Sequence, residues 1–181
     1  TLAMLGPARW GYPNLYIQIL NEENQYLGQG LERRVEQHIE ARAQLSKVAS
    51  NIKLLGYGFS VGNPGQAEWL YLKSMGWGHV DVLGLNQYWP HTADANWEDY
   101  LWTALRHRKV HEWTSGVHPN IIITEAGVDA VLPWKTGSLP GWKANGLTPE
   151  QFIGQLKKFE AYLKEDAYVL GAAVFLSGAY P

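Results

Sequence analysis

Glu22 and Glu125 are the two residues whose types and spacing could do chemistry as a pair. Each closes a run of strand-forming residues: "LYIQIL" leads to Asn21-Glu22, and "IIIT" leads to Glu125. A carboxylate at the end of a buried strand costs free energy unless it is paired or used. Two of them on different strands of one rim can face each other across a bound glycosidic bond. Cleavage needs one carboxyl protonated, to donate to the leaving oxygen. It needs the other ionised, to attack the sugar carbon or stabilise its positive charge. Like charges held close resist double ionisation, which helps separate the two protonation states. The titration then belongs to the pair.

The elements that must carry them alternate along the chain. Strands are expected over Leu15–Leu20, Leu54–Val61, His79–Tyr88, Asn120–Glu125 and Tyr168–Leu176. Helical spacing predicts helices over Leu31–Ile52, Gln66–Gly76, Asn96–Gly116 and from Thr148 onward. Thr148-Pro149-Glu150-Gln151 has the pattern of a capping box with Pro in the first turn. Strands that alternate with helices imply parallel βαβ units, and near-continuous apolar strands imply burial on both faces. We read residues 1–181 as a single domain. In such folds functional residues gather at the C-terminal ends of strands. Here those ends read Asn21-Glu22-Glu23-Asn24, Gly62-Asn63-Pro64, Asn86-Gln87-Tyr88-Trp89 and Thr124-Glu125. A long Gly/Pro-rich loop, Ala126 to Leu147, follows the last of these, and loops of that length are usually functional or disordered.

Composition removes several other classes. Net charge is -2 with no long basic run, so nucleic acid and anionic membrane are poor partners. No apolar stretch reaches the 18 or so residues of a membrane span. Cys is absent, which excludes disulfides, thiol nucleophiles and Cys-ligated zinc. No Gly-rich phosphate fingerprint follows the first strand, and Ser177 sits in no nucleophile elbow. The chain opens Thr-Leu-Ala-Met, without a signal-peptide pattern, as a mature secreted chain would; a secreted or extracellular location is the expectation. His107 and His111 have metal-pair spacing, but on a helix expected outside the sheet and without the Glu of H-E-x-x-H, so no metal is expected. Nine Trp and ten Tyr are abundant. Trp89, Trp134 and Trp142 fall near Pro/Gly-rich loops, where flat faces suit sugar rings, and His91 stands beside them.

The ordered set of strand ends resembles clan A glycoside hydrolases. "IQILNEEN" is similar to their fourth strand, "VDVLGLNQYWPH" to the sixth, "IIITEAGVD" to the seventh and "VLGAAVFLSGAY" to the eighth. The 103 residues between Glu22 and Glu125 suit three intervening βα units. The resemblance implies a (β/α)8 TIM barrel, present here as a C-terminal portion of about five βα units. It implies retaining hydrolysis of a β-linked glycan or glycoside, with Glu22 as acid/base and Glu125 as nucleophile. Asn21 would bond the substrate 2-hydroxyl, and Tyr88 would bond Glu125. Asn86, Trp89, His91 and Trp134 complete the expected substrate contacts, with an oligosaccharide or polysaccharide as partner and no cofactor.

Departures from the family pattern are specific. Glu23 stands where Pro usually follows Asn-Glu, Asn86 where His often precedes the Tyr, and Phe175-Leu176 where a Trp often lies. The first three strands and the second-strand Arg have no counterpart, since a whole barrel takes about 250 residues. Another chain or a further segment is therefore expected to complete the barrel. The altered rim also keeps open a non-catalytic carbohydrate-binding or scaffold protein on a degenerate barrel. A metal-dependent barrel enzyme is the third reading.

Overall fold

The computed structural model describes residues 15–21, 27–48, 51–91, 97–128 and 141–175. Strand β1 is Tyr16–Gln18, followed by helix α1 (Leu27–Val48), β2 (Lys53–Phe59) and α2 (Gln66–Met75). Then come β3 (Val82–Trp89), α3 (Arg106–Trp113), β4 (Ile121–Val128), α4 (Pro149–Glu165) and β5 (Val169–Val174). The strands form one parallel sheet in the order β1-β2-β3-β4-β5, curled into a half-barrel. Every connection is a crossover, as parallel pairing demands.

The α/β alternation expected from sequence is present, with shifted boundaries. The first strand is three residues long, and β4 runs on through Val128. The helix expected over Asn96–Gly116 is broken: a 3-10 turn at Trp97–Tyr100 precedes α3. Tertiary contacts explain the break. Trp97 is buried against Trp89 (ring centroids 4.9 Å apart), and the Thr103 carbonyl accepts from the Tyr88 amide at 3.2 Å. An unbroken helix would spend that carbonyl internally. The capping box of α4 forms as read. Thr148 Oγ1 accepts from the Gln151 amide, and Gln151 Oε1 accepts from the Thr148 amide.

The helices cover one face of the sheet. From α1 come Val35, His38 and Leu45; from α2, Trp69 and Leu72; from α4, Phe152, Gln155 and Phe159. They pack on Leu54, Phe59, Leu83, Leu85, Ile121 and Ile123. Within this layer β2 carries a bulge. Gly56 to Phe59 spans the same step as Leu83 to Leu85, so one residue is extra. Tyr57 occupies it with φ of 63°, a left-handed conformation that costs a non-glycine residue about 1–3 kcal/mol. Its surroundings hold it there. The Tyr57 hydroxyl donates to the Gly76 carbonyl, and its ring lies 4.2 Å from that of His38. A side chain at position 76 would press on the Tyr57 hydroxyl, so Gly is required there.

His38 completes the bulge. Its Nδ1 lies 2.7 Å from the Arg34 carbonyl, an acceptor, and so carries the proton. Nε2 is then a lone pair and accepts from the Tyr57 amide at 3.3 Å. Burial pushes the His38 imidazole down to about 4 from an ordinary 6.5. The folded protein therefore holds it neutral, whereas the unfolded chain takes up a proton below 6.5. Stability from this group is complete above pH 6.5 and falls as pH drops toward 4. The loss approaches about 3 kcal/mol. Urea unfolding at pH 7 and pH 4.5 should show this, and His38→Gln, which keeps a polar side chain without the titration, should lose less over that interval. An equal loss in both proteins would rule the mechanism out.

β5 pairs with β4 on one side, and its other side is an edge among the described residues. Leu170, Val174 and Phe175 are 49%, 48% and 46% exposed. Apolar edges of this kind recruit further strands. The chain is expected to self-associate as its concentration rises, and Val174→Lys to lower that tendency, as read by sedimentation velocity. Association unchanged by the lysine would place the contact elsewhere.

Candidate active site

Strand alternation by itself aims Glu125 at the helices. Ile121 and Ile123 pair with Leu83 and Leu85 in the buried outer layer, and Glu125 is two residues further on. The register changes at that step. Leu85 pairs with Ile123, but the next residue, Asn86, pairs with Glu125. Thr124 is thus an extra residue, and a one-residue shift moves every later side chain to the other face. Glu125 and Gly127 join Asn86 and Tyr88 on the inner face, while Ala126 and Val128 enter the core.

Three side chains meet on that face. Asn21 Nδ2 donates to Glu125 Oε1 at 2.9 Å, and the Tyr88 hydroxyl donates to Glu125 Oε2 at 2.6 Å. Both carboxyl oxygens accept, as an ionised carboxylate can. No cation pairs with Glu125 among the described residues, so its partners there are neutral donors. Tyr88 is held in turn: its ring meets Phe175 edge-on at 6.4 Å. Gly127 lies against the same ring and leaves room for the Phe175 carbonyl, which a side chain there would press.

The other expected site residues are distributed differently. Glu22 and Trp134 lie outside the described residues. Asn86 is fully buried; its Oδ1 accepts from Thr124 Oγ1 at 2.7 Å, and its Nδ2 has no partner. It is an inner-face packing residue, and no open surface presents it to a ligand. Trp89 is 1% exposed and lies in the core. β3 continues through it, so alternation sends it opposite to Tyr88, onto the helices. There it stacks with Trp97, packs on Phe159 and donates to Gln155 Oε1 at 3.0 Å. His91 is half-buried, and its carbonyl accepts from Gln155 Nε2 at 2.9 Å. Trp142 stacks on Phe152 of α4 at 5.3 Å.

His107 and His111 do not converge. His107 is buried between Gln87 and Asp166, with Nε2 at 2.9 Å from the Asp166 carboxylate. Asp166 also accepts from Arg108 Nε at 2.8 Å. Burial lowers the proton affinity of His107, and Asp166 opposes that shift without reversing it. His111 lies flat on Tyr168 and faces His118 at 2.9 Å. No group of three metal-ligating side chains occurs among the described residues.

Sequence reasoning missed four residues that shape the site. Thr124 supplies the phase change. Gly58 leaves space for Gln18, because a side chain at 58 would overlap Gln18 Nε2. Gly84 leaves space for Leu55 and Thr124 beneath the rim. Gln18 itself donates to Asn21 Oδ1 at 3.1 Å. A visible signal was the conflict between period-two alternation in "IIITEAGV" and a carboxylate on its apolar phase.

Compared with protein-family models and with curated proteins, the chain matches none.

The contact between Tyr88 and Glu125 is measurable. A double-mutant cycle of Tyr88→Phe with Glu125→Ala, read by urea unfolding, should give a coupling of about 1–2 kcal/mol. A coupling indistinguishable from zero would mean that the two side chains do not bond in solution.

Proposed function

We propose that the chain is the C-terminal portion of a (β/α)8-barrel glycoside hydrolase that cleaves a β-linked glycan or glycoside with retention. One observation carries the reading. Asn21, bonded in sequence to Glu22, donates to Glu125 at 2.9 Å across the sheet. That bond brings the end of the β1 segment, which Glu22 follows in sequence, to Glu125. Support also comes from the neutral donors on Glu125 and from the strand-end sequences that resemble this enzyme class.

The mechanism is a double displacement. Glu125 attacks the anomeric carbon as Glu22 gives its proton to the leaving oxygen, and the glycosidic bond breaks. A glycosyl ester on Glu125 results. Glu22 then takes a proton from water, the water oxygen attacks the anomeric carbon, and the ester bond breaks. Tyr88 holds Glu125 in line for attack, and Asn21 orients it and offers an amide to the sugar. The remaining strands of the barrel, supplied by a further segment or another chain, would close it between the β5 and β1 edges.

With the barrel completed, an activated aryl β-glycoside should be hydrolysed, and Glu125→Gln should lower kcat by roughly a thousandfold or more. A 2-deoxy-2-fluoro glycoside with a good leaving group should add one sugar mass to the peptide that contains Glu125. Hydrolysis that survives Glu125→Gln rejects the reading. Glycan binding without turnover, unchanged by Glu22→Gln, would instead favour a binding protein on a degenerate barrel.

A further inference from the structure

Asn21 can present either end of its amide to Glu125. The NH2 end donates a hydrogen bond, whereas the oxygen end sets two acceptors against each other. Glu125 by itself favours the NH2 end, and a contact on the far side of the amide can reinforce or oppose that preference. The polarity of that contact is traceable to the backbone. Gln18 Nε2 lies 2.9 Å from the Leu20 carbonyl and 3.1 Å from Asn21 Oδ1. Both contacts are to acceptors, so both hydrogens of the Gln18 amide are used. A backbone carbonyl cannot reverse its polarity, so Gln18 cannot turn over without facing oxygen to oxygen. With Gln18 fixed, Asn21 Oδ1 is fixed toward it, and Nδ2 is left toward Glu125.

The seat for Gln18 is built into β2. Gln18 pairs in register with Leu55, and a side chain at Gly58 would overlap its amide. A β-carbon at 58 would also sit 3.4 Å from Asn21 Oδ1. The absence of a side chain at 58 is what lets β1 place a polar side chain between the sheet and Asn21.

We propose that Gln18, seated over Gly58, is a positioning residue that sets the polarity of the Asn21 amide and through it the hydrogen bond to Glu125. Its part in catalysis rests on the reading of Glu125 as nucleophile; its part in orienting Asn21 does not. The Gln18 amide bonds the Leu20 carbonyl and Asn21, not Glu125. It acts on Asn21 alone.

Three variants separate this role from simple packing. Gln18→Met keeps the length and removes the donor. Gln18→Glu keeps the shape and replaces the donor with an acceptor, so that Asn21 Oδ1 faces an acceptor on either side and its fixed orientation is lost. Gly58→Ala displaces the native Gln18 and serves if the others fail to fold. The first readout is the side-chain NH2 resonance pair of Asn21 in the whole chain, which needs no activity. The pair should move in all three variants and most in Gln18→Glu. The second is steady-state hydrolysis of an aryl β-glycoside. Gln18→Met should lower kcat by roughly tenfold with KM within about twofold. Gln18→Glu should lose more at neutral pH, and its rate relative to wild type should recover as the introduced carboxylate takes up a proton and can donate again. A packing role alone predicts no such pH-dependent ratio.

Asn21 resonances that ignore all three variants overturn the proposal, whatever the activity. Equal non-zero rates for Gln18→Met, Gln18→Glu and wild type overturn its part in catalysis. Asn21 resonances that respond, in a completed barrel that hydrolyses no glycoside, support the orienting role and overturn the proposed function instead.

Discussion

One extra residue in β4 decides what the inner face of this sheet contains. Side chains on a strand alternate strictly, so the face of each is set by counting from its neighbours. Thr124 interrupts the count between Ile123 and Glu125. Before it, isoleucines seal the sheet against the helices. After it, Glu125 faces inward and Ala126 and Val128 take over the seal. Without the bulge the carboxylate would enter an apolar layer, where a charge is strongly disfavoured. The same step places Thr124 Oγ1 against Asn86, which satisfies that hydroxyl inside the sheet.

The remaining architecture protects this arrangement from both sides. On the inner face, glycines at 58, 84 and 127 leave the space that Gln18, Leu55, Thr124 and the Phe175 backbone occupy. On the outer face, a second bulge at Tyr57 is held by His38 and by the carbonyl of Gly76. Further along, Asp166 gathers His107 and Arg108 just before β5, and Tyr168 stacks on His111. These contacts anchor α4 and β5 to α3 and position the last strand beside Glu125. Arg106 shows a related economy: fully buried, it spends its guanidinium on the Pro64 and Trp102 carbonyls and on the faces of Trp102 and Trp113.

Much of the fold was legible because its signals are local. Apolar runs bounded by Gly, Asn and Pro located the strands, and the helical spacing of Phe152 and Phe159 with the Thr148 capping box located α4. The burial of Trp89 was not legible, because its neighbours Pro90 and His91 look like loop while the face it occupies depends on where β3 ends. The break in the helix after Trp97 was also invisible, since it is forced by partners far away in sequence: Phe159 in α4 and the amide of Tyr88. Asn86 drew attention as a polar residue at a strand end, yet its burial depends on Thr124 in the next strand.

The sequence by itself determined the alternation of strands and helices, and it marked Glu125 as a charge out of place at the end of an apolar strand. These follow from periodicity and from the cost of burying a carboxylate, which are properties of short segments. Only the tertiary structure decided which way Glu125 faces and what it touches. Both depend on the register between strands and on Asn21 and Tyr88 arriving from elsewhere in the chain, and no single segment contains that information.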